Sequence, residues 1–203
     1  MGNTSDNWGG INSGNISLFV GQLDLQGSPS KYRDAIGLNT AGVFNKFRYS
    51  FNRQQSISTH WSTNLSINGQ LANKNLDSSE KFMLGGDTGV RAYPSSEGLG
   101  AQGRVINFEM RWKATSSSTL IGFYDWGKIT MLRDHASDTA LNTYTLKGIG
   151  IGLNSQLENG GRLKLSWSYR IGNNPNPSSL GQDQDGSLQK NRVWLSATVP
   201  VSF

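Results

Sequence analysis

The segment Ile57-Ser58-Thr59-His60-Trp61-Ser62-Thr63-Asn64-Leu65-Ser66-Ile67-Asn68-Gly69-Gln70-Leu71 decides the fold class. Its odd positions carry Ile57, Trp61, Leu65, Ile67 and Leu71, and its even positions are polar throughout. Successive side chains of a strand point to opposite faces, so a period of two reads as a strand with one apolar and one polar face. Arg162 to Ile171 repeats the pattern: Leu163, Leu165, Trp167, Tyr169 and Ile171 oppose Arg162, Lys164, Ser166, Ser168 and Arg170. In Gln102 to Lys113, Ile106, Phe108, Met110 and Trp112 oppose Asn107, Glu109, Arg111 and Lys113. In Val43 to Arg53, Phe47, Tyr49 and Phe51 oppose Lys46, Arg48, Ser50 and Asn52.

Weaker alternation predicts further strands at Ile16 to Leu25, Glu80 to Leu84, Thr119 to Ile129, Tyr144 to Leu157 and Asn191 to Phe203. These make nine strands with the four above. Ala114 to Ser118 and Glu158 to Gly161 read as tight turns, and Leu132 to Asn142 and Gly172 to Lys190 as long polar connections. If the last strand ends at the periplasmic side, the long connections are external. Two connections then break the rule: Arg53 to Ser56 is short yet external, and Gly27 to Ala41, with a helical turn at Lys31 to Gly37, is long yet periplasmic. Trp61, Trp112, Trp126, Trp167 and Trp194 are placed as an interfacial girdle requires.

The 203 residues suffice for one all-β domain, but only 35% are hydrophobic. That is low for a large packed core and ordinary for a barrel facing lipid outside and water inside. No run approaches the ~18 apolar residues of a transmembrane helix. Met1-Gly2-Asn3-Thr4 opens no signal peptide, so the start of an exported protein is expected to lie outside this chain. The net charge is +5, but the basic residues are spread along strands, which argues against nucleic acid. With no cysteine there is neither a disulfide nor a Cys-based metal site. A soluble β-sandwich also alternates. Long charged side chains within strands of ten or more residues, and a terminal aromatic in phase with an apolar stripe, favour the membrane.

One loop stands apart: Leu84-Gly85-Gly86-Asp87-Thr88-Gly89-Val90-Arg91-Ala92-Tyr93-Pro94. With Asn75-Leu76-Asp77-Ser78-Ser79-Glu80-Lys81-Phe82 before it, and Phe123-Tyr124-Asp125-Trp126-Gly127 beyond it, the loop resembles part of a known family. The similarity is to the outer-membrane transporters of two-partner secretion (TpsB, the haemolysin secretion/activation family). Gly89-Val90-Arg91-Ala92-Tyr93 resembles the hallmark Val-Arg-Gly-Tyr of the family's lid loop, with Ala92 in place of glycine. Phe123, Asp125 and Gly127 resemble its Phe-x-Asp-x-Gly strand motif. Val199, Val201 and Phe203 resemble the terminal signal read by the barrel assembly machinery.

The resemblance implies an antiparallel transmembrane β-barrel: residues 1–203 as the C-terminal nine of sixteen strands, with a lid loop at about 85–101 folded into the lumen. The earlier strands and the periplasmic domains would lie upstream, and nine strands alone would neither conduct nor secrete. It implies a pore in the bacterial outer membrane for an unfolded haemolysin- or adhesin-type exoprotein in type V secretion. Outer-membrane lipid, lipopolysaccharide and the assembly machinery would be further partners; no enzyme activity and no cofactor is implied. It also implies that Arg91 meets Asp125, and an Arg–carboxylate pair is directional enough to anchor a threaded loop. Arg91 is equally what a solvated turn carries, and Glu109 is a possible second partner.

The strand pattern bears on the pairing independently. Asp125 inside puts Ile121 and Phe123 inside too, which makes sense only if something packs on them. A row at Gly148, Gly150 and Gly152 leaves room for a second chain. Lys46, Arg48, Arg111, Lys147, Arg162, Lys164 and Arg170 are expected to line the lumen. His60 and His135, the only histidines, belong to no nucleophile or metal-ligand motif. A barrel assembly factor shares the arginine loop; a passive diffusion porin would lack the Arg91–Asp125 pair; a soluble adhesin would need no detergent.

Overall fold

The computed structural model describes residues 2–6, 8–134 and 141–200. In chain order the strands are β1 (Gly2–Ser5), β2 (Gly10–Leu23), β3 (Gly42–Ser56), β4 (Trp61–Ala72), β5 (Phe82–Met83), β6 (Leu99–Gly100), β7 (Gln102–Lys113), β8 (Ser118–Thr130), β9 (Thr143–Gln156), β10 (Arg162–Arg170) and β11 (Asn191–Thr198). One short helix, α1 (Lys31–Ile36), lies between β2 and β3. Nine strands form one antiparallel sheet in the order β1-β2-β3-β4-β7-β8-β9-β10-β11. Every neighbour in it is a sequence neighbour apart from β4 and β7, between which the 73–101 connection departs into the interior. Among the described residues β1 and β11 do not pair with each other, so the wall is part of a barrel rather than a closed one.

The sheet is apolar outside and polar inside. Leu18, Val193 and Leu195 on the outer face are 71%, 61% and 68% exposed, whereas Asp125 and Gln70 on the inner face are 0% exposed. The apolar stripes do not meet in a dry interior, as a sandwich requires. They form a continuous outward band of the kind a β-barrel presents to lipid. The lower part of this band carries the stacked rings of Trp61 and Trp112, 6.1 Å apart.

Three sequence expectations need correction. Glu80 to Leu84 is not a wall strand. Ser78–Glu80 is a 3-10 turn whose Asp77 cap accepts from the Ser79 amide at 3.0 Å. Only Phe82–Met83 is extended, and it pairs with Leu99–Gly100 in a separate two-stranded ribbon. Five residues of alternation were too few to tell a wall strand from one limb of the loop. The ninth wall strand is instead β1, paired with Ser5 opposite Ile11.

Removing one strand reverses the direction of every strand before it, and this resolves both anomalous connections. The short links 6–9, 57–60, 114–117 and 157–161 now share one end, and the long ones, 24–41, 73–101, 131–142 and 171–190, share the other. Contacts agree: Asn75 Nδ2 donates to the carbonyls of Leu38 (2.7 Å) and Asp134 (3.0 Å), joining three of the long connections.

The second correction is Lys147. It shares parity with Ile149 and Ile151, and since Gly148 and Gly150 face inward, Lys147 is exposed on the outer face. The third is Trp194, which opposes the outward Val193 and Leu195 and so points into the interior rather than joining a girdle. Of the expected terminal signal, Val199 lies just past β11, while Val201 and Phe203 lie outside the described residues, as does His135. His60 sits in the exposed 57–60 turn.

The inward glycines are not equivalent. A Cβ at Gly148 would meet the Ala92 methyl at 2.7 Å, so this position does make room for the incoming loop. A Cβ at Gly150 would meet the Trp167 carbonyl at 2.2 Å and the Phe123 ring at 2.3 Å, so Gly150 accommodates its own neighbours. Gly122, facing outward, has nothing within 4 Å. We predict that Gly150→Ala hinders formation of the compact, heat-modifiable form in electrophoresis after refolding, whereas Gly122→Ala leaves it unchanged. Equal behaviour of the two variants would contradict this packing.

The 24–41 connection is tied off by Asp34. Its carboxylate accepts from the Thr40 amide (2.9 Å), the Thr40 hydroxyl (2.6 Å) and the Ala41 amide (3.0 Å). Desolvation works against the charge, but these donors and the nearby Lys74 outweigh it and hold the carboxyl below the ordinary carboxylate range. A depressed folded-state value contributes stability above the ordinary range and loses it as pH falls through the depressed value. Protection of the Thr40 and Ala41 amides, taken as exchange relative to an unstructured peptide at the same pH, is therefore expected to be high above the carboxylate range and to fall in stronger acid. Asp34→Ala should lose that protection at every pH.

Candidate functional site

The 73–101 connection folds back on itself before it touches the wall. The amides of Leu84, Gly85 and Gly86 donate to the carbonyls of Gly98 (3.1 Å), Glu97 (3.0 Å) and Tyr93 (3.1 Å), and Val90 closes the tip by donating to Leu84 at 2.7 Å. The crossing is tight enough that a Cβ at Gly89 would stand 2.0 Å from the Leu84 carbonyl oxygen. Gly89 is therefore required by close approach of backbone, not only by turn propensity. The apolar face of this knot, Leu84, Val90, Ala92 and Tyr93, is fully buried against Val105, Ile129, Tyr144 and Leu146 of β7, β8 and β9.

At its tip Arg91 meets Asp125 of β8 in a bidentate fork. Nε donates to one carboxylate oxygen at 2.9 Å and Nη2 to the other at 2.8 Å, while the Arg91 backbone amide adds a third bond at 3.0 Å. Nη1 donates to Glu109 of β7 at 2.8 Å. Glu109 in turn accepts from Arg111 at 2.7 Å, so it bridges the two guanidinium groups. The guanidinium carbon lies 3.4 Å from the centre of the Phe123 ring, stacked on an aromatic face that would otherwise look into water. Phe123 thereby acquires its packing partner, as Ile121 and Phe123 pointing inward demanded.

Asp125 is fully buried and every contact on it is a donor: Arg91 three times, and Asn107 Nδ2 at 2.8 Å. Asn107 also donates to the Gly89 carbonyl at 2.8 Å, so one amide reads both the loop and its anchor. On the far side the Arg91 carbonyl accepts from the Ser168 hydroxyl of β10 and the indole N–H of Trp194 of β11, each at 2.8 Å. Gly127 leaves space filled by Leu84 and Val90, whose side chains stand 2.9 and 3.0 Å from where its Cβ would be. Ala92 needs no glycine-like backbone: among the described residues Asn39 is the only non-glycine with positive φ.

Both limbs of the connection are also held at the end with the long links. On the entering limb, buried Lys46 pairs with Glu80, and Gln70 Nε2 donates to the Glu80 carbonyl (3.0 Å) while also reaching the Ala101 carbonyl (3.2 Å) at the end of the leaving limb. On the leaving limb, Glu97 accepts from the Gln184 amide of the 171–190 connection at 3.0 Å. Next to it Asp183 pairs with Arg170, whose guanidinium lies 4.2 Å from the Tyr93 ring centre. Sequence reasoning missed Gln70, Asn107, Glu97, Ser168, Asp183 and Trp194. Only the parity of Gln70, Asn107, Ser168 and Trp194 on their strands signalled that they face inward.

Arg48, Arg111, Arg162 and Lys164 share the inward parity of the lumen. A cavity of about 250 Å3 beneath the loop tip is lined by Asp87, Thr88, Arg111, Asn154, Lys164 and Ser196 among others. Its wall carries charges of both signs, and among the described residues no three His, Asp or Glu side chains gather as metal ligands.

The profile of the family described as "Haemolysin secretion/activation protein ShlB/FhaC/HecB" matches residues 16–155, and the chain belongs to that family. It is 27% identical over 187 residues to the heme/hemopexin transporter protein HuxB of Haemophilus influenzae, covering 89% of this chain and 31% of that protein. HuxB of strain 86-028NP is 26% identical over the same length. Among solved structures, CdiB from Escherichia coli superposes with a TM-score of 0.72 over 97% of this chain and 34% of that one, at 18% identity. The chain thus spans about a third of the length of the relatives it matches.

Asp125→Ala strands the Arg91 charge in a buried site, and breaking such a pair costs about 3–5 kcal/mol. Denaturant unfolding in micelles is expected to show a loss of that order. Asn107→Ala, which removes one neutral donor, should lose about 1 kcal/mol. A result in which both variants lose equally little would mean the fork does not hold the loop.

Proposed function

We propose that this chain is the C-terminal part of the barrel of an outer-membrane transporter of two-partner, type V secretion, the pore through which an unfolded partner exoprotein of haemolysin or adhesin type leaves the cell. The observation that carries this reading is the Arg91–Asp125 fork, which ties a glycine-rich loop to the inner face of a wall that is apolar outside. A passive porin has no need of a charge-pinned loop tip, whereas a pore that must stay shut at rest and admit a chain does. Membership of the haemolysin secretion/activation family and the name of the Haemophilus relative, a transporter, support the same reading.

In this reading Gly89, Val90, Arg91, Ala92 and Tyr93 are the working end of the lid, and Phe123, Asp125 and Gly127 are its seat. Glu109 is a second partner, and Val199, Val201 and Phe203 are the signal for the barrel assembly machinery. The residues upstream of the chain supply the remaining strands and the periplasmic domains that select the exoprotein. The basic inner wall keeps a passing polypeptide hydrated. Nothing in such a cycle calls for bond chemistry: the chain is a conduit and not an enzyme.

The test is secretion by the full-length protein. Arg91→Asp places two carboxylates and Glu109 together and should impair export of the partner. Adding Asp125→Arg restores opposite charges and should recover part of it; the backbone bond from Arg91 to the Asp125 carboxylate cannot be recovered. Both variants must reach the outer membrane in normal amounts. Full secretion by Arg91→Asp would refute the lid role, and absence of any recovery would refute the pairing as its basis. Unchanged levels of other outer-membrane barrels separate this function from that of an assembly factor.

A further inference from the structure

On the outer face of β7, β8 and β9 the outward positions are uncharged, with three exceptions: Arg104, Lys128 and Lys147. All three are exposed, and all three lie at the end of the wall that carries the long connections. Arg104 and Lys128 are direct cross-strand partners, and Trp126, one step further from the rim, is the partner of Lys147. The Arg104 guanidinium carbon stands 5.2 Å from the centre of the Trp126 ring. Like charges directly opposite each other destabilise a sheet. Yet among the described residues none of the three forms an ion pair, although Arg53, the other outward-facing charge on this wall, is paired with Asp6 at 2.7 Å. Below the cluster the face runs into Ile106, Phe108, Tyr124, Ile149 and Ile151.

We propose that Arg104, Lys128 and Lys147 form a binding site for the phosphorylated glycolipid headgroup of the outer leaflet, that is, lipid A, with its acyl chains lying on the apolar band beneath. Three cations on adjacent strands, with an indole among them at the boundary between polar rim and apolar band, match the chemistry of a headgroup bearing two phosphates on a rigid sugar core. Arg104 is preorganised on Trp126 and offers a fork suited to phosphate oxygens. Lys128 and Lys147 supply point charges on either side. A negative headgroup also removes the repulsion that the bare cluster imposes on the β7–β8 pair. The inference rests on the outer-membrane reading above, which fixes the long-connection end as the external one.

The test uses the full-length transporter purified in detergent, with hexa-acylated lipid A titrated and bound lipid counted by native mass spectrometry. Each basic side chain at an anionic surface is worth about fivefold in affinity, so the triple variant Arg104→Gln, Lys128→Gln, Lys147→Gln should bind lipid A about a hundredfold more weakly. Monophosphoryl lipid A should bind between the two. Lys164→Gln, on the inner wall, should bind as the unaltered protein does. The triple variant should fold, because it loses a like-charge contact, and its heat-modifiable form in lipid A-free detergent should survive to at least the same temperature. Undiminished lipid A binding by the triple variant would overturn the proposal. So would phosphatidylglycerol binding as tightly and with the same sensitivity to the three substitutions, or inorganic phosphate competing fully at equal concentration. The two readings fail separately: secretion by Arg91→Asp reports on the lid, and lipid binding by purified protein reports on this site.

Discussion

The bidentate contact between Arg91 and Asp125 is the constraint on which the interior of this protein is organised. An ionised carboxylate with no exposure is tolerable only when each lone pair is met by a donor, and Asp125 receives four hydrogen bonds. Three come from one residue of the loop, so the wall cannot keep its buried charge without the loop in place. The dependence runs the other way too. The loop tip carries a guanidinium that would be stranded against the Phe123 ring without Asp125 and Glu109. A hydrophobic seat alone, such as the contact of Leu84 and Val90 with the space at Gly127, would fix depth but not register. The fork fixes both.

The wall answers to a different constraint, the inversion of polarity that lipid imposes. Outside, side chains such as Leu18 and Leu195 are left bare; inside, Gln70, Asn107 and Ser168 have hydrogen-bond partners in the loop. Polar inward positions therefore serve two purposes. Where the loop lies against them they are its attachment points, and where it does not, as at Lys164 and Asn154, they border water.

Much of this was legible in the residues, and the limits are instructive. Strands of ten or more residues reveal themselves by repetition: Arg162 to Ile171 needs no context. Glu80 to Leu84 does not repeat long enough, and reading it as a wall strand inverted every strand before it. The two connections that then violated the length rule were the trace of that error, since parity propagates along an antiparallel sheet. Arg91 and Asp125 were visible through family resemblance, and the inward Ile121 and Phe123 gave an independent physical hint. Lys147 and Trp194 were legible from their own strands, because Gly148 inward forces Lys147 outward and Leu195 outward forces Trp194 inward. Glu97, Asp183 and Gln184 were not: the two segments meet only in three dimensions, and 87 positions separate Glu97 from Gln184. No local pattern encodes such a pair.

The reach of the 73–101 segment has a mechanical meaning. It takes hold of Lys46 on β3, Gln70 on β4, Asn107 on β7, Asp125 on β8, Ser168 on β10 and Trp194 on β11. Neighbouring strands are otherwise joined only edge to edge, a hinge-like linkage that permits a sheet to flatten or curl. A tie across that many staves behaves as a strut sets the span of an arch. Loss of those grips would leave the staves joined by their edges alone, so the curvature of the wall and the seating of the segment depend on each other.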